Sequence, residues 1–183
     1  MSNPSFVHLD VNTQYSLGRS TIRQDQLIDA CTDMGMPAVG VTDHNNLFSA
    51  YKLYKSAQKK GIKYIIGSTV TILDQKERIK SKLSLLCENE TGYKNLCALI
   101  TQSYTEKLDK NEPLIDKKWL ESRTEGLIAI SSSNNGYLQQ SKSMDESMAL
   151  QWINGLQELF PDRLFVSISR MGIPNEEKVN QLT

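Results

Sequence analysis

Two histidines, a few carboxylates and one hydroxyl run are the residues of this chain whose types and spacing could do chemistry. His8, Asp10 and Asn12 alternate along one apolar segment, so two-residue periodicity places them on one face of a strand. Asp43-His44 ends a second segment, Ala38-Val-Gly-Val41. Thr69, Lys82 and the run Ser131-Ser-Ser133 stand near the ends of later ones. Imidazole with carboxylate suits Zn²⁺ or Mn²⁺, and a bound ion lowers the pKa of its water to make a nucleophile. A hydrolytic centre needs about three or four protein ligands per metal. The chain has 2 histidines in all, His8 and His44. Thr69 and Ser133 are poor ligands and a charged Lys82 is none, so the metal signal is weak.

Each residue also has a plain structural reading. His8 reads as a hydrogen-bonded core histidine, and that reading is preferred. Asp43 opens a turn and suits the cap of the helix that follows. The run from Ser131 to Asn135 reads as a loop or cap, without the G-x-S-x-G setting of an activated serine. Lys59-Lys60 and Lys117-Lys118 read as solvated helix ends, and Trp119 and Trp152 as core.

The elements that must position these residues alternate along the chain. Phe6 to Val11 reads as a strand. Leu27, Ile28, Cys31 and Met34 recur at helical spacing, with Asp25 and Gln26 in the first turn and Gly35 as the stop. Ala38–Val41 is a short buried strand. Leu47, Tyr51, Tyr54 and Ala57 mark a second helix that stops near Gly61. Tyr64–Ile66 and Val70–Ile72 form a third strand, interrupted around Gly67. Leu83–Leu86 is a fourth. A helix follows on Tyr93, Leu96, Leu99, Ile100 and Tyr104. The charged stretch Glu106–Lys118 leads into a short helix with Trp119 and Leu120. Gly126–Ile130 is a strand, Met148, Trp152, Leu156 and Leu159 a helix, and Leu164–Ile168 a strand. Pro174-Asn-Glu-Glu177 opens one more helix. Six strands alternating with helices imply right-handed crossovers and a mostly parallel sheet, in the open doubly wound form or as a barrel. A full eight-fold barrel needs about 250 residues, so the chain reads as the front part of a barrel whose last strands are absent.

The bulk properties bound the function. The 183 residues suit one globular domain, 1–183. Lys+Arg and Asp+Glu both number 21, and a net charge of zero argues against the domain gripping nucleic acid alone, although it leaves room for a local basic patch. Cys31, Cys87 and Cys97 are odd in number and lack C-x-x-C spacing, which fits a reducing, cytoplasmic setting. The start shows no signal peptide, and no apolar run approaches the roughly 20 residues that span a bilayer.

Phe6-Val-His-Leu-x-Val-x-Thr13 followed by Tyr15-Ser16 resembles the opening of the PHP (polymerase and histidinol phosphatase) domain, in the form that begins the alpha subunit of bacterial DNA polymerase III. Gly35-Met-Pro-Ala38 leading to Thr42-Asp-His-x-Asn-Leu-Phe48 resembles the second PHP motif, and Gly61-Ile-Lys-x-Ile-Ile-Gly67 the third. Asn89-x-x-Gly-Tyr-x-Asn-Leu96, Ile115-Asp-x-x-Trp-Leu120, Gly126-Leu-Ile128 and Phe160-Pro-Asp-Arg163 are similar to alpha-subunit segments. The matches run in order over nearly the whole chain.

The resemblance implies a seven-stranded, distorted (β/α) barrel of the PHP type, here cut to about six βα units. Intact members hold a trinuclear metal site, with histidines where this chain has Asp10 and Asn12, Glu at Thr69, His at Lys82 and Cys at Ser133. Only Asp43 and His44 keep the intact pattern, and the remaining family ligands fall beyond Thr183. The resemblance therefore implies a vestigial site with no metal and no catalytic residue, Asp43 and His44 being the ligands if any Zn²⁺ or Mn²⁺ binds. It also suggests that the Lys82 ammonium sits near Asp10 or Asp43 in place of a lost cation.

The function implied is that of a structural and docking domain of a replicative polymerase. Its partners are the polymerase's other domains and the proofreading exonuclease (epsilon) subunit; DNA is met only through the full polymerase, and no membrane is involved. The parent would be a DNA-directed DNA polymerase. The alternative is a metal-dependent phosphoesterase, a 3′–5′ exonuclease or a pyrophosphatase of the same family.

Overall fold

The structure is a computed structural model that describes residues 6–76, 79–106, 108–109, 112–132 and 146–168. Ser133 and the segment Pro174–Glu177 lie outside them. The elements are α1 (Gln24–Asp33), β1 (Ala38–His44), α2 (Ala50–Lys60), β2 (Lys63–Asp74), β3 (Ile79–Cys87), α3 (Glu90–Glu106), β4 (Ile115–Asp116), α4 (Lys117–Leu120), β5 (Leu127–Ser132), α5 (Glu146–Leu159) and β6 (Leu164–Ser167).

The fold is mixed α/β. Six strands hydrogen-bond in the open order β1-β2-β3-β5-β6, with β4 beside β2. The pairs β1–β2, β2–β4 and β5–β6 are parallel, while β3–β5 is antiparallel. Uniform βα alternation predicts a parallel β3. Only residues 75–78 separate it from β2, and a parallel return needs a crossover of about a dozen residues. The chain divides into two compact units, Met1–Thr69 and Val70–Thr183.

In the first unit α1 and α2 cover β1. Leu27, Ile28, Cys31, Met36, Val39, Val41, Leu53 and Ala57 form its buried core. Gly35 ends α1 at φ +66°. Its N–H bonds to Thr32 O at 3.0 Å and that of Met36 to Cys31 O at 2.9 Å, the paired bonds that satisfy a helix's last carbonyls. The strand expected over Phe6–Val11 is an extended segment with a single bridge, Val11 to Val41. It reaches β1 through Val11 N to Gly40 O (3.1 Å) and Gly40 N to His8 O (2.7 Å). Gly40 permits this approach, because a Cβ there would lie 2.8 Å from Leu9 O. Gly67 does not interrupt β2; it is buried and paired with Thr42.

The second unit is built on β3 and β5, with α3 packed against both. Leu83, Leu85, Leu96, Leu99, Leu127 and Phe160 are fully buried there. Asn89 caps α3 by accepting the Gly92 N–H at 3.0 Å. The Phe160–Arg163 segment turns through Asp162 at φ +58°, and Arg163 Nη1 donates to the carbonyls of Thr124 and Leu127. Lys117 is not a solvated helix end. It pairs with Asp74 at 3.1 Å and lies 5.0 Å over the Trp152 ring. Trp152 is buried as expected, while Trp119 is half-buried. No helix among the described residues is long and apolar enough to cross a membrane.

Candidate functional site

The site is assembled in the first unit at the C-terminal end of β1, where the chain turns from Val41 through Thr42, Asp43 and His44. β1 is apolar up to that point and buried along its length. The carboxylate of Asp43 is therefore carried below the surface, to 1% exposure. A buried carboxylate is costly unless hydrogen-bonded, and this one is fully served. Oδ1 accepts the Thr13 N–H at 2.7 Å and the Ser16 hydroxyl at 2.8 Å. Oδ2 accepts the hydroxyls of Thr13 and Ser49, both at 2.7 Å.

The directions of these hydroxyl bonds are fixed by their neighbours. Thr13 Oγ1 accepts the Tyr15 N–H at 3.3 Å, and Ser16 Oγ accepts the His44 N–H at 3.0 Å. Each hydroxyl then has its one proton left for Asp43. The backbone carbonyl of Asp43 accepts from Ser68 Oγ at 2.7 Å, which holds β2 alongside.

A second layer lies around this knot. His44 is half-buried, and its Nδ1 meets Thr69 O at 3.1 Å while its Nε2 meets Asn45 Nδ2 at 3.4 Å. A carbonyl cannot donate, so Nδ1 carries the proton and Nε2 accepts. Thr69 O also accepts the Asn45 N–H at 2.9 Å. Asn45 adopts φ +54°, a left-handed conformation that Asn tolerates. Asn46 ties the turn, donating to Tyr15 O at 3.2 Å and His44 O at 2.9 Å. Asn12 Nδ2 donates to Thr42 O at 2.7 Å. Asp10 is exposed, and its Oδ1 accepts from the Thr42 and Thr69 hydroxyls.

The structure thus brings Asp10, Asn12, Asp43, His44 and Thr69 together in one unit. Lys82 lies half-buried on β3 in the other. The acceptor positions of Asp43 are held by the Thr13 N–H and the hydroxyls of Thr13, Ser16 and Ser49. Asp43 does not cap α2; Ser49 precedes that helix, and its hydroxyl is turned to Asp43. His8 is not a core residue. It is exposed, with its ring edge-on to Phe6 at 4.8 Å. Ser49 and Asn45 carry no sequence signal of their own, because they are common turn residues, and Asn46 stood in the second family-like motif. Thr13 and Ser16 did stand in the first family-like motif.

This donor set fits a metal centre poorly. A carboxylate has about four lone-pair sites, and those of Asp43 are taken by four protein donors. Both ring nitrogens of His44 face protein atoms. Among the described residues no three His, Cys, Asp or Glu side chains cluster.

Comparison with known proteins places these residues. A family model described as the PHP domain matches residues 8–171. The DNA polymerase III alpha subunit of Pseudomonas aeruginosa is 36% identical over 180 residues, 95% of this chain. Those of Escherichia coli K12 and Aquifex aeolicus are 35% and 34% identical, over 97% and 96% of the chain. The chain spans about 15% of the length of these curated relatives. Among solved structures, a Bifidobacterium adolescentis protein assigned as a metal-dependent phosphoesterase superposes with a TM-score of 0.59 at 10% identity, covering 96% of this chain and 81% of that one. An amidohydrolase from Chromobacterium violaceum, with bound sulfate and no metal, gives 0.55 at 12% identity over 84% and 74%. At such identities the likeness is one of fold.

Proposed function

The chain belongs to the PHP domain family, and on that premise we propose that it is the N-terminal PHP domain, residues 1–183, of a DNA polymerase III alpha subunit, acting in DNA replication as a structural and docking domain without hydrolytic activity of its own. The parent is then a DNA-directed DNA polymerase of the cytoplasm. The partners of the domain are the remaining domains of that polymerase and the proofreading exonuclease subunit.

The observation that carries this reading is the closed hydrogen-bond set on Asp43. In a working metallohydrolase the carboxylate at a strand end presents free lone pairs to an ion. Here Thr13, Ser16 and Ser49 hold them all, and the site's product is a rigid junction between the β1 end, the 12–20 loop and the entry to α2. A rigid junction of that kind suits a scaffold. The fold likeness to a phosphoesterase does not restore the ligands.

The test is to mix the purified chain with the proofreading exonuclease subunit of its own bacterium and follow the mixture by sedimentation velocity. A stoichiometric complex, together with no Mn²⁺-dependent release of phosphate or nucleotide by the chain alone, is expected. Turnover that disappears on Asp43→Asn would refute the scaffold reading, and absence of any complex would refute the docking part.

A further inference from the structure

α2 carries Lys52, Lys55, Lys59 and Lys60 and no acidic residue over its 11 positions, in a chain whose net charge is zero. Its buried side is small and apolar: Ala50, Leu53 and Ala57. At 3.6 residues per turn, Tyr54, Gln58, Tyr51, Lys55, Lys59 and Lys52 follow one another around an exposed arc of about 160°. All six are exposed, Tyr51 to 69% and Tyr54 to 50%. Tyrosine lines one flank of the arc and lysine the other. Lys55 Nζ lies 5.4 Å from the Tyr51 ring centre. Just before the helix, Phe48 is 70% exposed and meets the Tyr15 ring edge-on at 6.1 Å.

The lysines of the arc are free to meet a partner. Among the described residues, Lys60 on the other side of the helix pairs with Asp29 at 3.4 Å, while Lys52, Lys55 and Lys59 hold no ion pair. A positive face selects a polyanion. Exposed aromatic rings beside it select a polyanion that offers flat π-faces. Single-stranded nucleic acid has both in every unit, whereas a duplex keeps its base faces stacked inside, and the carboxylate side chains of an acidic protein segment carry no such ring. From this charge complementarity and ring exposure we infer that the outer face of α2, with Phe48, binds single-stranded nucleic acid through phosphate contacts to Lys52, Lys55 and Lys59 and base stacking on Tyr51 and Tyr54. The contact is local and weak, as zero net charge requires, and it does not depend on the docking role above.

The test is fluorescence anisotropy of the chain with labelled oligothymidylate and oligouridylate about 16 nucleotides long, between about 50 and 200 mM salt. Binding is expected at the low-salt end. The triple change Lys52→Gln, Lys55→Gln, Lys59→Gln should weaken it at least about ten-fold and reduce the slope of log affinity on log salt by about two, at roughly 0.7 per single-strand phosphate contact. Tyr51→Ala with Tyr54→Ala should weaken binding about ten-fold with the salt slope kept. All five side chains are exposed, and an unchanged melting curve verifies each variant's fold. No binding at about 50 mM salt, or variants that bind like the parent, would overturn the inference. So would equal displacement of the oligonucleotide by polyglutamate of matched charge, which would make the face a site for an acidic protein. Equal affinity for duplex and single strand, unaffected by the tyrosine changes, would overturn the stacking part.

Discussion

The carbonyl oxygen of Gly126 occupies the space a side chain at residue 92 would need: a Cβ on Gly92 would lie 1.8 Å from it. The same contact lets Glu88 N–H reach Gly126 O at 2.9 Å and Asn95 Nδ2 reach Glu125 O at 2.9 Å. The Asn89-x-x-Gly-Tyr-x-Asn segment is thereby explained as packing. Asn89 caps α3, Gly92 admits the turn before β5, and Asn95 holds that turn.

Gly92→Ala should therefore destabilise the chain by about 3 kcal/mol or more, since neither backbone can give way. Gly126→Ala should cost a similar amount, because its Cβ would lie 2.3 Å from Asn89 Oδ1 at φ +69°. Gly155→Ala is the control. Its Cβ would meet only the end of the Lys117 side chain, at 3.0 Å, which is held by Asp74 and Trp152 but can shift where a backbone cannot, and should cost about 1 kcal/mol. Urea unfolding measures all three.

Asp43 is the keystone of the first unit. Asp43→Ala leaves one N–H and three hydroxyls without their buried acceptor and should cost about 3–5 kcal/mol. Ser49→Ala removes one of the four donors and should cost about 1–2 kcal/mol. Equal, small losses for the two variants in urea unfolding would show that the network is not stabilising.

Arg163 holds two carbonyls from one nitrogen, and its own carbonyl accepts the Ala129 N–H at 2.8 Å. Arg163→Ala should lower stability by about 2–3 kcal/mol. Arg163→Lys should recover only part of this, because an ammonium does not reproduce the guanidinium's fixed donor geometry. Thermal melts of both variants give the comparison.

Burial, with the Cys97 thiol as a smaller cause, pushes the Cys87 thiol up from 9.0 to about 12. At pH 9 an ordinary thiol at that value is half ionised, while Cys87 is ionised to about one part in a thousand. Alkylation of Cys87 by iodoacetamide at pH 9 should be slower than that of an unfolded reference thiol by a comparable factor, read by peptide mass mapping. Because the folded value is raised, the associated stability is intact below pH 9.0 and is lost as pH rises toward about 12.

Much of the architecture was legible because it rests on local signals. Gly35 and Gly61 marked the ends of α1 and α2 through their left-handed geometry, and the apolar runs marked β1, β3, β5 and β6. Several readings failed for physical reasons. Tyr51 and Tyr54 looked like the buried face of α2 together with Ala57, yet Ala57 is buried with the smaller Ala50 and Leu53 while both tyrosines are exposed. Gly67 looked like a break, yet a glycine paired inside β2 keeps the strand whole. β4 has two residues, too few for any periodicity. The candidate site was half legible. Asp10, Asn12, Asp43, His44 and Thr69 do come together, but the partners that define Asp43 come from 6 to 30 positions away along the chain. Hydroxyls brought together over such separations leave no spacing pattern.

The central claim is that the β1 end is a closed hydrogen-bonded junction and not a metal centre. Calorimetric titration of the chain with Mn²⁺ and with Zn²⁺, repeated on His44→Ala, tests it most directly. The account predicts no stoichiometric heat with either ion and the same flat trace from the variant. Stoichiometric binding by the parent chain that is lost in His44→Ala would contradict it, because an ion would then have displaced the protein atoms that now face His44 and Asp43.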